Sequence, residues 1–402
     1  MLEGFAGKRN ARDDSVDIPQ GHSNERQEIE VFIIDWKGTL PQHLFNIDQQ
    51  GYVSAEAETV RYPDGLERID CGLGTNPTGM PAAVRAELER LSTCALCDYP
   101  APEPEDLKKG IAATYPCWQV KPEQILPGAG SMGVLVTLLR LLLRPGSVLA
   151  GPSPQFTDTV LQALFNEASY APVPRSPPVF RLTAGPLLEA VEKAPTLLYL
   201  DRPHNPTGQV LPLEDVDRLA RRGMEKGVWI LSDEAYGDFL PPEESACRLP
   251  HPNLVTCRSF SKGLGGAGLR VGYAVTRNED LATLFRRIQP PFAVGTLDAA
   301  LALAALEDTS FLEETRRYVR YAKERTLEAL RTKAEWTVAE TDLRVPIFFL
   351  SQESGDLVRC LAAVGILCEA GSGYVGLDNR RARLRVPSPD KLELFLERMG
   401  TI

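Results

Sequence analysis

Ser259-Phe260-Ser261-Lys262, followed by Gly263-Leu264-Gly265-Gly266-Ala267-Gly268-Leu269-Arg270, gathers an amine, two hydroxyls and a guanidinium around one flexible turn. A lysine amine condenses with aldehydes, while hydroxyls and a guanidinium hold phosphate oxygens. A ligand carrying both an aldehyde and a phosphate would use the whole stretch. A buried structural lysine beside a turn would also produce it. The glycines spell G-x-G-x-x-G from Gly263 to Gly268, which binds dinucleotides when a helix opens on the last glycine. Here the β-branched and aromatic run Leu269 to Val275 follows, which predicts a strand and argues against that reading.

The elements that must position such a site lie upstream. Leu198–Leu200 is an apolar run ending in Asp201-Arg202-Pro203-His204-Asn205-Pro206-Thr207-Gly208, a strand running into a turn. Val228–Leu231 predicts a second buried strand and leads into Ser232-Asp233-Glu234-Ala235-Tyr236. An amide, a carboxylate and a phenol at the carboxyl ends of parallel strands meet where open α/β sheets bind ligands. They suit a pyridine ring, Asp233 for its nitrogen and Asn205 with Tyr236 for its phenolate oxygen. Each also has a plainer reading, as a turn or a helix N-cap. Taken with Lys262, the set describes pyridoxal 5'-phosphate.

On these motifs the chain resembles the fold-type I pyridoxal phosphate enzymes of the class I/II aminotransferase superfamily. It is nearest the histidinol-phosphate aminotransferase and threonine-phosphate decarboxylase branch, over roughly Ile69 to the C-terminus. The resemblance implies an α/β fold with a large domain on a doubly wound, mostly parallel sheet and a smaller α+β domain. It implies an aminotransferase of amino-acid metabolism and a homodimer with shared active sites. Residue by residue, it puts the first phosphate loop at Ala129, Gly130 and Ser131, before the apolar helix Val134–Leu143, where amides and helix dipole favour an anion. Ser259, Ser261 and Arg270 complete the phosphate cup, and Phe156 stacks on the ring. Tyr99, in Tyr99-Pro100-Ala101-Pro102, crosses a dimer interface to the neighbouring cofactor. Asn76, in Asn76-Pro77-Thr78-Gly79, lies near the substrate. Lys262 is the base for the α-proton, with Asp233 and Tyr236 beside it. Arg383, in Arg383-Leu384-Arg385-Val386-Pro387, grips the substrate α-carboxylate, and Arg385 is expected on the opposite face of that strand.

Departures from the pattern bear on the substrate. Histidinol-phosphate aminotransferases carry a phosphate-binding arginine at the end of Gly-Ile-x-Val-Arg, and this chain reads Gly365-Ile366-Leu367-Cys368-Glu369. A carboxylate there repels a phosphate. The expected substrate is therefore non-phosphorylated, with a neutral or cationic far end paired to Glu369; the alternative is that Glu369 pairs with a protein arginine such as Arg344. Pro346 also replaces an asparagine common in the family. Transamination is the leading reaction. Elimination, cyclisation or carbon–carbon bond formation, for example on S-adenosylmethionine or a basic amino acid, uses nearly the same residues. A cofactor-sensing regulator would need a DNA-binding module, and the first 70 residues contain no sign of one.

The rest of the chain agrees. Its 402 residues suffice for two cores, divided as an N-terminal extension (1–68), a linker with the start of the small domain (69–98), a large cofactor domain (99–295) and a C-terminal small domain (296–402). Helices are expected over 297–307 and 310–333. Residues 1 to about 30 are polar and charged and predict a mobile or dimer-embracing tail. Val31–Ile34 with Asp35-Trp36-Lys37-Gly38-Thr39-Leu40 resembles a haloacid dehalogenase signature, but Lys37 replaces its second aspartate. A net charge of −10 without a basic block argues against nucleic acid. No apolar run reaches membrane length, and the first residues lack the apolar core expected of a signal peptide. Eight dispersed cysteines read as reduced thiols of a cytoplasmic enzyme, and neither they nor the four histidines have metal-ligand spacing.

Overall fold

The computed structural model describes residues 36–49, 51, 62–94 and 96–402. The expected N-terminal tail lies outside them. The chain forms two units, Met1–Gln42 and His43–Ile402. In the first, Trp36–Thr39 form a 3-10 turn, and the Gln42 amide donates to the carbonyls of Lys37 and Leu40.

The second unit contains thirteen described strands. They are β1 (Ile69–Asp70), β2 (Ile125–Ala129), β3 (Val148–Ser153), β4 (Ser169–Pro174), β5 (Leu197–Asp201), β6 (Trp229–Glu234), β7 (Leu254–Ser259), β8 (Val271–Thr276), β9 (Trp336–Val338), β10 (Ile347–Gln352), β11 (Ile366–Leu367), β12 (Glu369–Ala370) and β13 (Arg381–Arg385). Seven make one sheet in the order β2-β8-β7-β6-β5-β3-β4, parallel except for β8, which runs antiparallel to both neighbours. The near-continuous apolar runs follow from burial on both faces. Leu197, Tyr199, Leu231, Val255 and Cys257 pack into one core, whereas Leu198, Leu200, Ile230 and Leu254 pack into another on the opposite side. That alternation is the period-two geometry of a strand.

β12-β13-β10-β9 form a smaller antiparallel sheet, and β1 pairs in parallel with β11. The core of this smaller sheet takes in β1, the middle and end of the long helix Thr309–Leu330 and the final helix. The helices expected over 297–307 and 310–333 appear as Thr296–Glu307 and Thr309–Leu330. Among the described residues no helix is long and apolar enough to cross a membrane.

A buried charge network braces the loop after β6. Glu234 accepts from Arg202 (3.1 Å) and Arg258 (3.0 Å), and Arg258 also pairs with Asp238, all four residues being buried. Removing the shared anion leaves the Arg202 guanidinium without its carboxylate and Arg258 with Asp238 alone, in a dry interior. We expect Glu234→Ala to cost about 3–5 kcal/mol, measured as a lowered denaturant midpoint at unchanged slope.

Candidate active site

The sheet order brings the chemistry-bearing residues together. One cleft is lined by Ser131, Phe156, Asn205, Asp233, Tyr236, Ser259, Ser261, Lys262, Arg270 and Arg383. Most sit at a strand end or in the turn that follows it, while Ser131 is in the first turn of the helix Gly130–Leu142 and Arg383 is the middle residue of β13. Asp233 lies near the end of β6, Ser259 ends β7, and Lys262 and Arg270 flank the glycine turn between β7 and β8. That turn leads through a short 3-10 turn into β8 and not into a helix, so the dinucleotide pattern has no structural support.

Lys262 Nζ is 5.4 Å from the centre of the Tyr236 ring. Burial, then the positive charge of Arg383, pulls its ammonium down to about 8, although Glu369 and Asp233 oppose the shift. The neutral, nucleophilic amine is thereby within reach near neutrality. Cofactor capture by the empty protein should quicken about tenfold per pH unit below about 8 and level off above it. The growth of visible absorption measures this, and a pH-independent rate would contradict it. A side chain at Gly74 would collide with Tyr236 Oη and approach Lys262 Nζ to 3.1 Å, so the absence of a Cβ there keeps the cleft open.

Asp233 accepts from the Ala235 amide (3.0 Å) and from Tyr199 Oη (2.8 Å). Burial raises its proton affinity; Tyr199, the Ala235 amide and the Lys262 charge hold it down. Asn205 Oδ1 accepts from Arg383 (3.4 Å). The helix Gly130–Leu142 opens at Ala129–Gly130 with no side-chain cap, beside Arg270, whose guanidinium also reaches Ser261 Oγ at 3.5 Å. Gly130 has a positive φ of 69°, and a Cβ on it would meet the Arg270 guanidinium. An amine, a carboxylate, an amide with a phenol, and an anion cup of hydroxyls, helix amides and guanidinium fit the aldehyde, pyridine nitrogen, phenolate and phosphate of pyridoxal phosphate.

Other expected residues lie elsewhere. Tyr99 is 83% exposed, stacks on Phe292 at 4.7 Å and is absent from this chain's cleft. Asn76 donates its amide to the Gly263 carbonyl (2.9 Å) and accepts from Thr78, bracing the turn after Lys262. His204, beside Asn205, bonds Thr207, the Pro154 carbonyl and Arg175. Arg385 does not turn to the opposite face from Arg383. Residues two apart in a strand share a face, and both guanidinium groups reach the backbone of Asp70–Leu73.

Glu369 has a different partner from the one considered. Arg344 pairs with Asp342 and Glu244 at 2.7 Å each. Glu369 instead stands directly across from Arg383 in the β12–β13 register, with Oε2 2.6 Å from the fully buried guanidinium. Tyr374 Oη donates to its other oxygen (3.0 Å). Residues opposite one another in an antiparallel pair share a face, so this pairing follows from register. Asp201 and Asp158 also line the cleft and carried no motif.

Residues 69–399 match the family described as aminotransferase class I and II. The chain is 30% identical to a histidinol-phosphate aminotransferase of Haloferax volcanii over 81% of this chain and 90% of that one. With that of Haloquadratum walsbyi it shares 35% identity over 67% and 69%. Among solved structures it resembles the Sinorhizobium meliloti histidinol-phosphate aminotransferase in complex with pyridoxal-5'-phosphate, with a TM-score of 0.73 and 23% identity over 83% of this chain and 90% of that one. It also resembles the Thermus thermophilus aspartate aminotransferase with maleate, with a TM-score of 0.74 and 22% identity over 84% and 92%. The chain belongs to the class I and II aminotransferases and is a pyridoxal 5'-phosphate-dependent enzyme.

Proposed function

We propose that this aminotransferase acts on a non-phosphorylated amino acid with a cationic far end. The observation that carries this is the Arg383–Glu369 ion pair, which lies close enough to Lys262 for both charges to act on it. A substrate carboxylate taking Arg383 displaces Glu369. A released, largely buried carboxylate is costly unless it finds a new cation. A basic side chain supplies one, so two ion pairs form where one was broken. A phosphate at that end would meet a second negative charge instead. The relatives named for histidinol phosphate support the fold and reaction class, while Glu369 separates this chain's substrate from theirs.

In this reading Lys262 holds the cofactor and moves the α-proton of the substrate. Asp233 pairs with the ring nitrogen, Asn205 and Tyr236 bond the phenolate oxygen, and Phe156 covers the ring face. Ser131, Ser259, Ser261, Arg270 and the amides of Ala129 and Gly130 hold the phosphate. Bound pyridoxal phosphate supplies an aldehyde for amines and a ring that accepts the electrons left by the departing proton. The exposed Tyr99 serves the site of a second copy, which makes the working enzyme a homodimer. The test is kcat/KM for keto-acid release from arginine, ornithine and lysine against histidinol phosphate. Preference for the phosphorylated compound would overturn the assignment.

A further inference from the structure

Asp233 shares its end of the sheet with a second acid. Its register partner on β5 is Asp201, and Tyr199, two residues earlier on the same strand, points to the same face. Tyr199 Oη lies 2.8 Å from Asp201 Oδ1 and 2.8 Å from Asp233 Oδ2. Tyr199 is fully buried, and Asp201 and Asp233 are each 5% exposed. Two hydrogen bonds need two hydrogens. A phenol supplies one and an ionised carboxylate none. Both contacts are hydrogen bonds only if one of the two carboxyl groups keeps its proton.

We propose that Asp201 is that neutral acid, donating to Tyr199, which donates in turn to Asp233. Tyr199 and Asp201 are then positioning residues that concentrate one negative charge on Asp233, the group that would pair with the pyridine nitrogen. The surroundings favour this direction. The Lys262 charge acts on Asp233 and stabilises it as the anion. The cation facing Asp201 is Arg175, at the exit of β4, and its donors go to the carbonyls of Ser153, Pro154 and Phe180. Tyr170 on β4 and Cys257 on β7 are further titratable neighbours, with Glu234 next to Asp233 and Asp158 in the same cleft. Burial, then the Asp233 charge, raises Asp201 well above the carboxylate range, against the pull of Tyr199, the Phe156 amide and Arg175. The proton count belongs to the cofactor-free protein. Only its consequence for the cofactor rests on the role proposed for Asp233.

Asp201→Asn provides the test, because an amide copies the protonated acid. Its oxygen accepts from the Phe156 amide, as Asp201 Oδ2 does at 3.2 Å, and its NH2 donates to Tyr199. The folded wild type holds a proton that the unfolded chain releases above about pH 4. It therefore loses stability as pH rises towards the raised folded value, and the amide does not. In cofactor-free protein the Tm of D201N minus that of wild type should widen by roughly 1–3 °C per unit between pH 5 and 7. A constant or shrinking gap overturns the proposal. Should D201N not fold, wild-type protein still decides. Its infrared spectrum at pH 7 should contain a protonated carboxylic-acid band that Tyr199→Phe shifts, and a spectrum without such a band overturns it. Both readouts are independent of substrate identity, so their failure is distinct from failure of the functional reading.

Discussion

Lys262→Ala protein folds, retains phosphate-bearing cofactor weakly and loses turnover by about 10⁴-fold. Lys262 lines the cleft with its amine drawn down to about 8, and the proposed mechanism gives it the α-proton. Losing a positioned acid–base group costs up to about 10⁴-fold. Single-turnover absorbance measures this, and borohydride reduction of wild type followed by peptide mapping should mark Lys262. Activity within tenfold of wild type would remove Lys262 from the chemistry. Added methylamine should restore part of the rate if the loss is of the base alone.

Glu369→Gln has the second largest effect, and it has opposite signs for two substrate classes. In wild type the Arg383 guanidinium is already neutralised by Glu369 at 2.6 Å. A cationic amino acid exchanges partners with this pair, so loss of the anion leaves its far end unmatched. Removing one member of a buried charge pair costs about 2–5 kcal/mol, so KM for arginine or ornithine should rise by about 30-fold or more. A neutral amino acid no longer competes with Glu369 for Arg383, and its KM should fall. Steady-state kinetics on both classes decide this. Parallel changes in the two KM values would mean that Glu369 merely supports the fold of β12.

The legible parts of this protein are those in which chemistry is local in the chain. Lys262 with its serines and glycines, Asn205 with its turn, and Asp233 with Tyr236 each stand in one contiguous stretch, and all line the cleft. The strands that present them read as apolar runs because both faces of the sheet are covered. What escaped reading depends on register between separate strands. Glu369 meets Arg383 only because β12 and β13 align antiparallel at those residues. Asp201 meets Asp233 only because β5 and β6 align in parallel. A signal for the latter did exist, since Tyr199 and Asp201 alternate onto one face of a strand that is otherwise apolar. The reading of Arg385 failed on the same rule, which puts Arg383 and Arg385 together. The brace that the Asn76 amide gives the Gly263 carbonyl escaped for another reason, because it spans 187 residues of sequence.

The most direct measurement of the central claim is to mix the cofactor-loaded enzyme with single amino acids and follow the visible band. The set would be arginine, ornithine, lysine, aspartate, glutamate, histidinol phosphate and S-adenosylmethionine, with keto acid assayed in each. The account predicts rapid loss of the band with stoichiometric keto acid from a basic amino acid and slow or absent change with histidinol phosphate. Rapid conversion of histidinol phosphate, with basic amino acids inert, would contradict it.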